Sequence, residues 1–116
     1  MIFVSAGTKD GRELAGYLLQ QGYKVTASVV SQYGESLLER YSGMNINCQA
    51  LDADGFVTYF ARHGVKLFVD ASHPYAANVS ENAMKACRRA GVAYIRFERQ
   101  QTPIDYDRAY YVPDYQ

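Results

Sequence analysis

Four glycines constrain the fold of this chain more than any other feature. Gly22, Gly43, Gly64 and Gly91 each follow a stretch with helical spacing and precede an apolar run. A glycine just past a helix can take the left-handed conformation that turns the chain back, because it has no Cβ to clash. Successive joints are 21, 21 and 27 residues apart, which leaves room for a strand and a helix between them. The chain therefore reads as repeating βα units.

The expected strands are Ile2–Ala6, Lys24–Val30, Asn45–Gln49, Lys66–Ala71 and Ala93–Phe97, all rich in Val, Ile, Phe or Tyr. Several are apolar on consecutive residues, as in a parallel sheet covered on both faces. Between them, Arg12–Gln21 and Ala76–Ala90 carry apolar residues at i, i+3, i+4 and i+7. Shorter helices are expected at about Glu35–Tyr41 and Asp54–His63, with His63 a favourable charge at a helix C-terminus. Repeating right-handed βα units give an α/β fold, a Rossmann-like doubly wound parallel sheet of about five strands in a three-layer α/β/α arrangement. The expected strand order is 3-2-1-4-5. Ligands bind such sheets where the chain switches direction, here between strands 1 and 4. The loops to examine are Gly7–Gly11 and Ser72–Tyr75.

Composition narrows the function classes. The 116 residues suffice for one domain, and 48% hydrophobic residues suffice for a core. Twelve basic residues balance twelve acidic ones, which argues against a nucleic-acid partner. No apolar run approaches the roughly 20 residues of a membrane span, and Met1–Ser5 lacks the basic start of a signal peptide. Cys48 and Cys87 lack metal-ligand spacing, so no metal site is expected and a reduced, cytoplasmic setting is.

Three constellations carry chemistry. Ser5-Ala6-Gly7-Thr8-Lys9-Asp10-Gly11-Arg12 follows strand 1 and opens a helix, the position at which bare backbone and helix-start amides favour phosphate. Ser5 stands where the first glycine of G-x-G-x-x-G would be, and the spacing is not that of a P-loop. Asp10 with Glu13 also reads as a capping pair, so a capped turn without ligand is the alternative. At the end of strand 2, where a carboxylate would hold the ribose of NAD, the chain has Ala27-Ser28-Val29-Val30-Ser31-Gln32-Tyr33 and no acid before Glu35. Serines tolerate a 2′-phosphate, which leans toward NADPH.

The second constellation is Asp70-Ala71-Ser72-His73-Pro74-Tyr75-Ala76, after strand 4. Its histidine can act as an acid or as a donor to cofactor or substrate; alternatively Ser72 caps the next helix and the rings only pack. The third is Arg96-Phe97-Glu98-Arg99, whose arginines can meet carboxylates or phosphates, or be surface charge. The tail from Glu98 holds Pro103, Pro113 and tyrosines 106, 110, 111 and 115. Ala109–Val112 can form one more strand, and the tyrosines suit a domain or subunit contact. The little structure left after it suggests the N-terminal piece of a longer protein.

Taken in order, Gly7-Thr8-Lys9-Asp10-Gly11-Arg12-Glu13-Leu14-Ala15, Gly22–Thr26, Tyr33-Gly34, Asp70–Ala76, Ser80-Glu81-Asn82-Ala83 and Tyr94–Arg99 resemble the N-terminal half of the precorrin-6A reductase family. The resemblance runs from residue 1 to about residue 100, and Asp-x-x-His-Pro-Tyr-Ala is its most specific element. Where the family's loop has two glycines before the threonine, this chain has Ala6-Gly7-Thr8. The resemblance implies a pyridine-nucleotide-dependent reduction of one double bond in precorrin-6A or cobalt-precorrin-6A, a step of cobalamin biosynthesis. With the serines after strand 2, the expected cofactor is NADPH, with NADH the alternative. Gly7, Thr8, Asp10, Gly11 and Arg12 would line the nucleotide phosphates, and Ser28, Ser31 and Tyr33 the adenosine ribose. Ser72, His73 and Tyr75 would face the nicotinamide and the macrocycle, with His73 as proton donor. Arg96 and Arg99 would meet substrate carboxylates.

On this reading residues 1–100 are a nucleotide-binding domain. Residues 101–116 are a linker, or the start of a missing C-terminal α/β domain that would complete the substrate cleft. The isolated piece is expected to be inactive. A Gly11→Val change is expected to block phosphate approach while sparing the fold. The alternatives are a non-catalytic NADP(H) sensor and a nucleotide-free interaction domain. A phosphoacceptor receiver domain is disfavoured, since Gly7-Thr8 and Gln49-Ala50 replace the acids it needs.

Overall fold

A computed structural model describes residues 1–73 and 76–98. The elements run β1 (Ile2–Ser5), α1 (Lys9–Gln20), β2 (Val25–Ser28), α2 (Gln32–Leu38), β3 (Asn45–Asn47), α3 (Ala53–His63), β4 (Leu67–Asp70), α4 (Ala77–Ala90) and β5 (Ala93–Arg96). The five strands pair in parallel in the order β3-β2-β1-β4-β5. That is the doubly wound order expected from the βα repeat. All four joint glycines have positive φ: 97° at Gly22, 88° at Gly43, 65° at Gly64 and 70° at Gly91. Gly64 and Gly91 are the left-handed C-caps of α3 and α4. The tail tyrosines and the segment 109–112 lie outside the described residues.

Alternation along the strands gives the sheet two apolar faces. Phe3 and Phe68 stack at 5.2 Å on one face and pack with Phe56 and Phe60 of α3 and Ala83, Ala86 and Cys87 of α4. Val4, Ala27 and Val69 line the other face under Ala15 of α1 and Leu38 of α2. Helices thus cover both sides, which is why the strands read as continuous apolar runs.

Two helices begin earlier than their apolar spacing indicates, and side-chain caps are the reason. Thr8 Oγ1 accepts a hydrogen bond from Gly11 N at 3.0 Å, so α1 starts at Lys9 rather than Arg12. Thr8 therefore caps α1, which corrects the expected Asp10–Glu13 capping pair. Asp10 lies in the first turn, where a negative charge suits the helix dipole. Ser31 Oγ accepts from Gly34 N at 3.0 Å and starts α2 at Gln32 rather than Glu35.

The early start moves Gly11 from the loop into the first turn of α1. A Cβ there would lie 2.8 Å from Ala71 Cβ, 3.1 Å from Ala6 Cα and 3.2 Å from the Ala71 carbonyl oxygen. Gly11 is needed for close packing of α1 against the β1 and β4 strand ends, so a valine there does not spare the fold. Gly11→Ala should destabilise the protein by about 1–3 kcal/mol, the range for overpacking a tight site. Adding Ala71→Gly should recover part of that loss, because the nearest clash is with the Ala71 methyl. Urea denaturation of the single and double variants checks both outcomes.

Candidate functional site

β1 and β4 are neighbours, and their C-terminal ends carry the first two constellations side by side. Ser5 pairs in register with Asp70. Beyond them, the Thr8 hydroxyl donates to the Ala71 carbonyl at 2.9 Å, and Ala71 N donates to the Ser5 carbonyl at 3.0 Å. The glycine loop and the histidine loop are thus tied together at the switch point, 63 residues apart in sequence.

Asp70 organises this edge. Its side chain is fully buried and, among the described residues, accepts five hydrogen bonds. Oδ1 accepts from Ser72 N at 3.0 Å, Ser72 Oγ at 2.6 Å and Arg96 Nη1 at 3.0 Å. Oδ2 accepts from Ser80 Oγ at 2.6 Å and Tyr94 OH at 2.5 Å. Burial alone would raise its pKa, but the Ser72, Ser80 and Tyr94 hydrogen bonds outweigh burial and hold it below the ordinary carboxylate value. Burial and the adjacent carboxylate push the Tyr94 phenol up, so it stays protonated and donates. One charge therefore joins β4, the loop after it, α4 and β5.

Several expected site residues take other roles in this network. Ser72 does not cap α4, whose N-cap is Ala76 without a side-chain bond; its buried hydroxyl is turned onto Asp70 instead. Arg96 points inward rather than at a ligand. Its Nη1 bonds Asp70 and Ser72 Oγ, and its Nη2 bonds the Ser72 carbonyl at 2.9 Å and Glu98 Oε2 at 2.9 Å. His73 is exposed just beyond this clamp, and its carbonyl accepts from Ala76 N at 2.9 Å. Tyr75 and Arg99 lie outside the described residues. Sequence reading did not give Asp70 a site role, although a lone aspartate ending the apolar run Leu67-Phe68-Val69 signals a buried, paired charge.

The residues that follow β1 and β2 form the other part of the edge. Gly7 is exposed, and a Cβ there would meet nothing within 4 Å. The loop thus presents bare backbone to open space at the start of α1, where helix-start amides lack intrahelical partners. Thr8 spends its hydroxyl on the cap and on Ala71. Ser28 Oγ accepts from Asn47 Nδ2 at 3.0 Å and Ser31 Oγ accepts from Gly34 N, so each keeps its proton for outward donation. Tyr33 is 73% exposed on the first turn of α2. These residues fit the phosphates and ribose of a dinucleotide laid across the strand ends.

The parallel sheet, the switch-point loops and the glycine-threonine helix start define a Rossmann-like α/β domain. The sequence also matches the family described as precorrin-6x reductase CbiJ/CobK over residues 1–116, and the chain belongs to that family. It is 37% identical to the cobalt-precorrin-6A reductase of Priestia megaterium over 116 residues, all of this chain and 45% of that protein. It is 36% identical to the precorrin-6A reductase of Rhodobacter capsulatus over 118 residues, 97% of this chain and 45% of the other. A solved structure, CobK precorrin-6A reductase, superposes with a TM-score of 0.70 at 33% identity, covering 85% of this chain and 37% of that one. The chain therefore spans less than half the length of these relatives.

Asp70→Asn should destabilise the fold by about 3 kcal/mol, since it strips the charge from a buried ion pair and leaves Arg96 only Glu98 as a carboxylate partner. Its folded-state pKa is depressed, so the stability it contributes is full above the unfolded value near ~3.9 and is lost as pH falls through the lower folded value. Stability measured by urea denaturation at a series of pH values should fall more steeply on acidification in the wild type than in the Asn variant. Parallel profiles would remove Asp70 as the origin of that acid sensitivity.

Proposed function

We propose that this chain forms the cofactor-binding part of a reductase that uses a pyridine nucleotide to reduce one double bond of the precorrin-6A or cobalt-precorrin-6A macrocycle in cobalamin biosynthesis. The observation that carries the reading is the joining of the two loops. The Thr8–Ala71 hydrogen bond sets the exposed backbone of Gly7 and the histidine loop on one edge of the sheet. Family membership supports the reaction class.

In this reading Gly7 and the amides at the start of α1 receive the pyrophosphate, with Arg12 adding charge. Ser28, Ser31 and Tyr33 receive the adenosine ribose, and the lack of an acid between Ser28 and Glu35 favours NADPH over NADH. When bound, the reduced nicotinamide supplies a hydride to one end of the double bond. His73, exposed at the same edge, delivers the proton that the other end requires. Ser72, Asp70 and Arg96 hold the backbone that carries His73. Tyr75 and Arg99 keep the substrate-facing roles that the family resemblance implies. Residues 1–100 act as the nucleotide-binding unit, and the macrocycle lies between it and parts that the longer relatives carry outside the matched stretch.

Two measurements on the full-length protein test this. Calorimetric titration should show binding of NADPH in preference to NADH; no binding of either nucleotide would refute the reading. His73→Ala should lower kcat by about 100-fold or more, the usual contribution of a positioned acid, with NADPH affinity unchanged. An unchanged kcat would exclude His73 as the proton donor.

A further inference from the structure

We propose that Ser80 is a positioning residue for His73: its hydroxyl fixes the start of α4 on Asp70 and so holds the far end of the histidine loop. The proposal rests on the reading of His73 as proton donor and deepens it, because it names what sets that side chain's place. Ser80 belongs to the Ser80-Glu81-Asn82-Ala83 stretch of the family resemblance, to which the sequence alone attaches no role.

α4 starts differently from the other helices. Thr8, Ser31 and Asp52 cap α1, α2 and α3 with side-chain oxygens that accept from a first-turn amide. α4 follows the histidine loop directly, and its N-cap Ala76 offers no such bond. Something else must fix where that helix begins. Ser80, the fourth residue of α4, does so: its hydroxyl donates to Asp70 Oδ2 at 2.6 Å. Alanine is the better helix former, so a serine here serves the contact rather than the helix.

The two oxygens of Asp70 thus hold both ends of the loop. Oδ1 accepts from the Ser72 amide and hydroxyl, on the residue before His73. Oδ2 holds Ser80, one turn into the helix that follows the loop. The Ala76 amide donates to the His73 carbonyl at 2.9 Å, which joins the histidine backbone to the helix start. A carboxylate is planar and rigid, and this one is fully buried, so the two anchors keep a fixed separation.

Position matters more to a proton donor than to the fold. A general acid must lie within hydrogen-bond reach of the atom it protonates, and a displacement of about 1 Å can cost about 100-fold in rate. Without the Ser80 hydroxyl, Oδ2 keeps Tyr94 as a donor, and Oδ1 keeps Ser72 and Arg96. The carboxylate therefore stays satisfied. What is lost is its link to α4, whose start is then left to the apolar contacts of Ala83, Ala86 and Cys87 further along the helix.

The test is steady-state kinetics of the full-length protein with NADPH and precorrin-6A or cobalt-precorrin-6A, alongside ligand-free amide exchange read by NMR. Ser80→Ala should lower kcat by about tenfold, the effect of a shift below about 1 Å, with NADPH affinity unchanged. It should also speed exchange of the Ala76 amide by about tenfold, the scale of one hydrogen bond to a charge. Ser80→Thr, which keeps the hydroxyl, should recover most of both. In a His73→Ala background, Ser80→Ala should change kcat by less than about twofold, because residues acting as a unit are not additive. Cys87→Ala, a core change on the same helix, should lower the urea midpoint and leave kcat unchanged. If Ser80→Ala does not fold, Ser80→Cys, a weak donor of similar shape, carries the same comparisons. The proposal is overturned if His73→Ala lowers kcat while Ser80→Ala leaves kcat or Ala76 exchange unchanged; the proton-donor reading then stands. Equal losses from Ser80→Ala in both backgrounds, or an equal loss of kcat from Cys87→Ala, overturn it too. If His73→Ala leaves kcat unchanged, the proton-donor reading fails and this proposal with it.

Discussion

A single buried carboxylate holds the functional edge of this domain together. An isolated charge in the protein interior is prohibitively unfavourable, so Asp70 is tolerable only with its hydrogen-bond donors in place. Those donors come from the loop after β4, from α4 and from β5. Satisfying the charge therefore fixes where α4 begins, how β5 is held beside β4 and how the chain leaves the strand. The edge strand β5 is the clearest dependant. Its outward residues Ala93 and Ile95 are exposed, while Tyr94 and Arg96 turn in to the carboxylate.

The second consequence reaches across the sheet. Because Ser72 is clamped by Asp70 and Arg96, the preceding Ala71 carbonyl is held where Thr8 can donate to it. Thr8 in turn caps α1, and Gly11 packs against Ala71 without a side chain between them. The backbone around Gly7 and the exposed His73 thus share one rigid support. A ligand spanning both would meet preorganised groups and lose little freedom in ordering them.

The sheet order was legible because it follows from local signals. Each joint glycine announced a reversal, each was followed by an apolar run, and the handedness of βα units did the rest. Helix starts were less legible: capped by Thr8 and Ser31, α1 and α2 begin three residues ahead of the starts that apolar spacing indicates. Least legible were contacts between distant residues. Arg96 reads equally well as a surface cation, and only the register of β5 against β4 puts it beside Asp70. Gly11 fits a phosphate loop by spacing, yet the Ala71 methyl decides its role. Tyr75 and Arg99 lie outside the described residues.

The central claim is that the glycine loop and the histidine loop act as one site. Hydrogen exchange of the full-length protein with and without saturating NADPH tests it most directly, because it reads both loops in one experiment. The account predicts slower exchange together at 7–12 and at 71–73, with the interior strands unchanged. Protection confined to one of the two loops, or found only elsewhere on the domain, would contradict it.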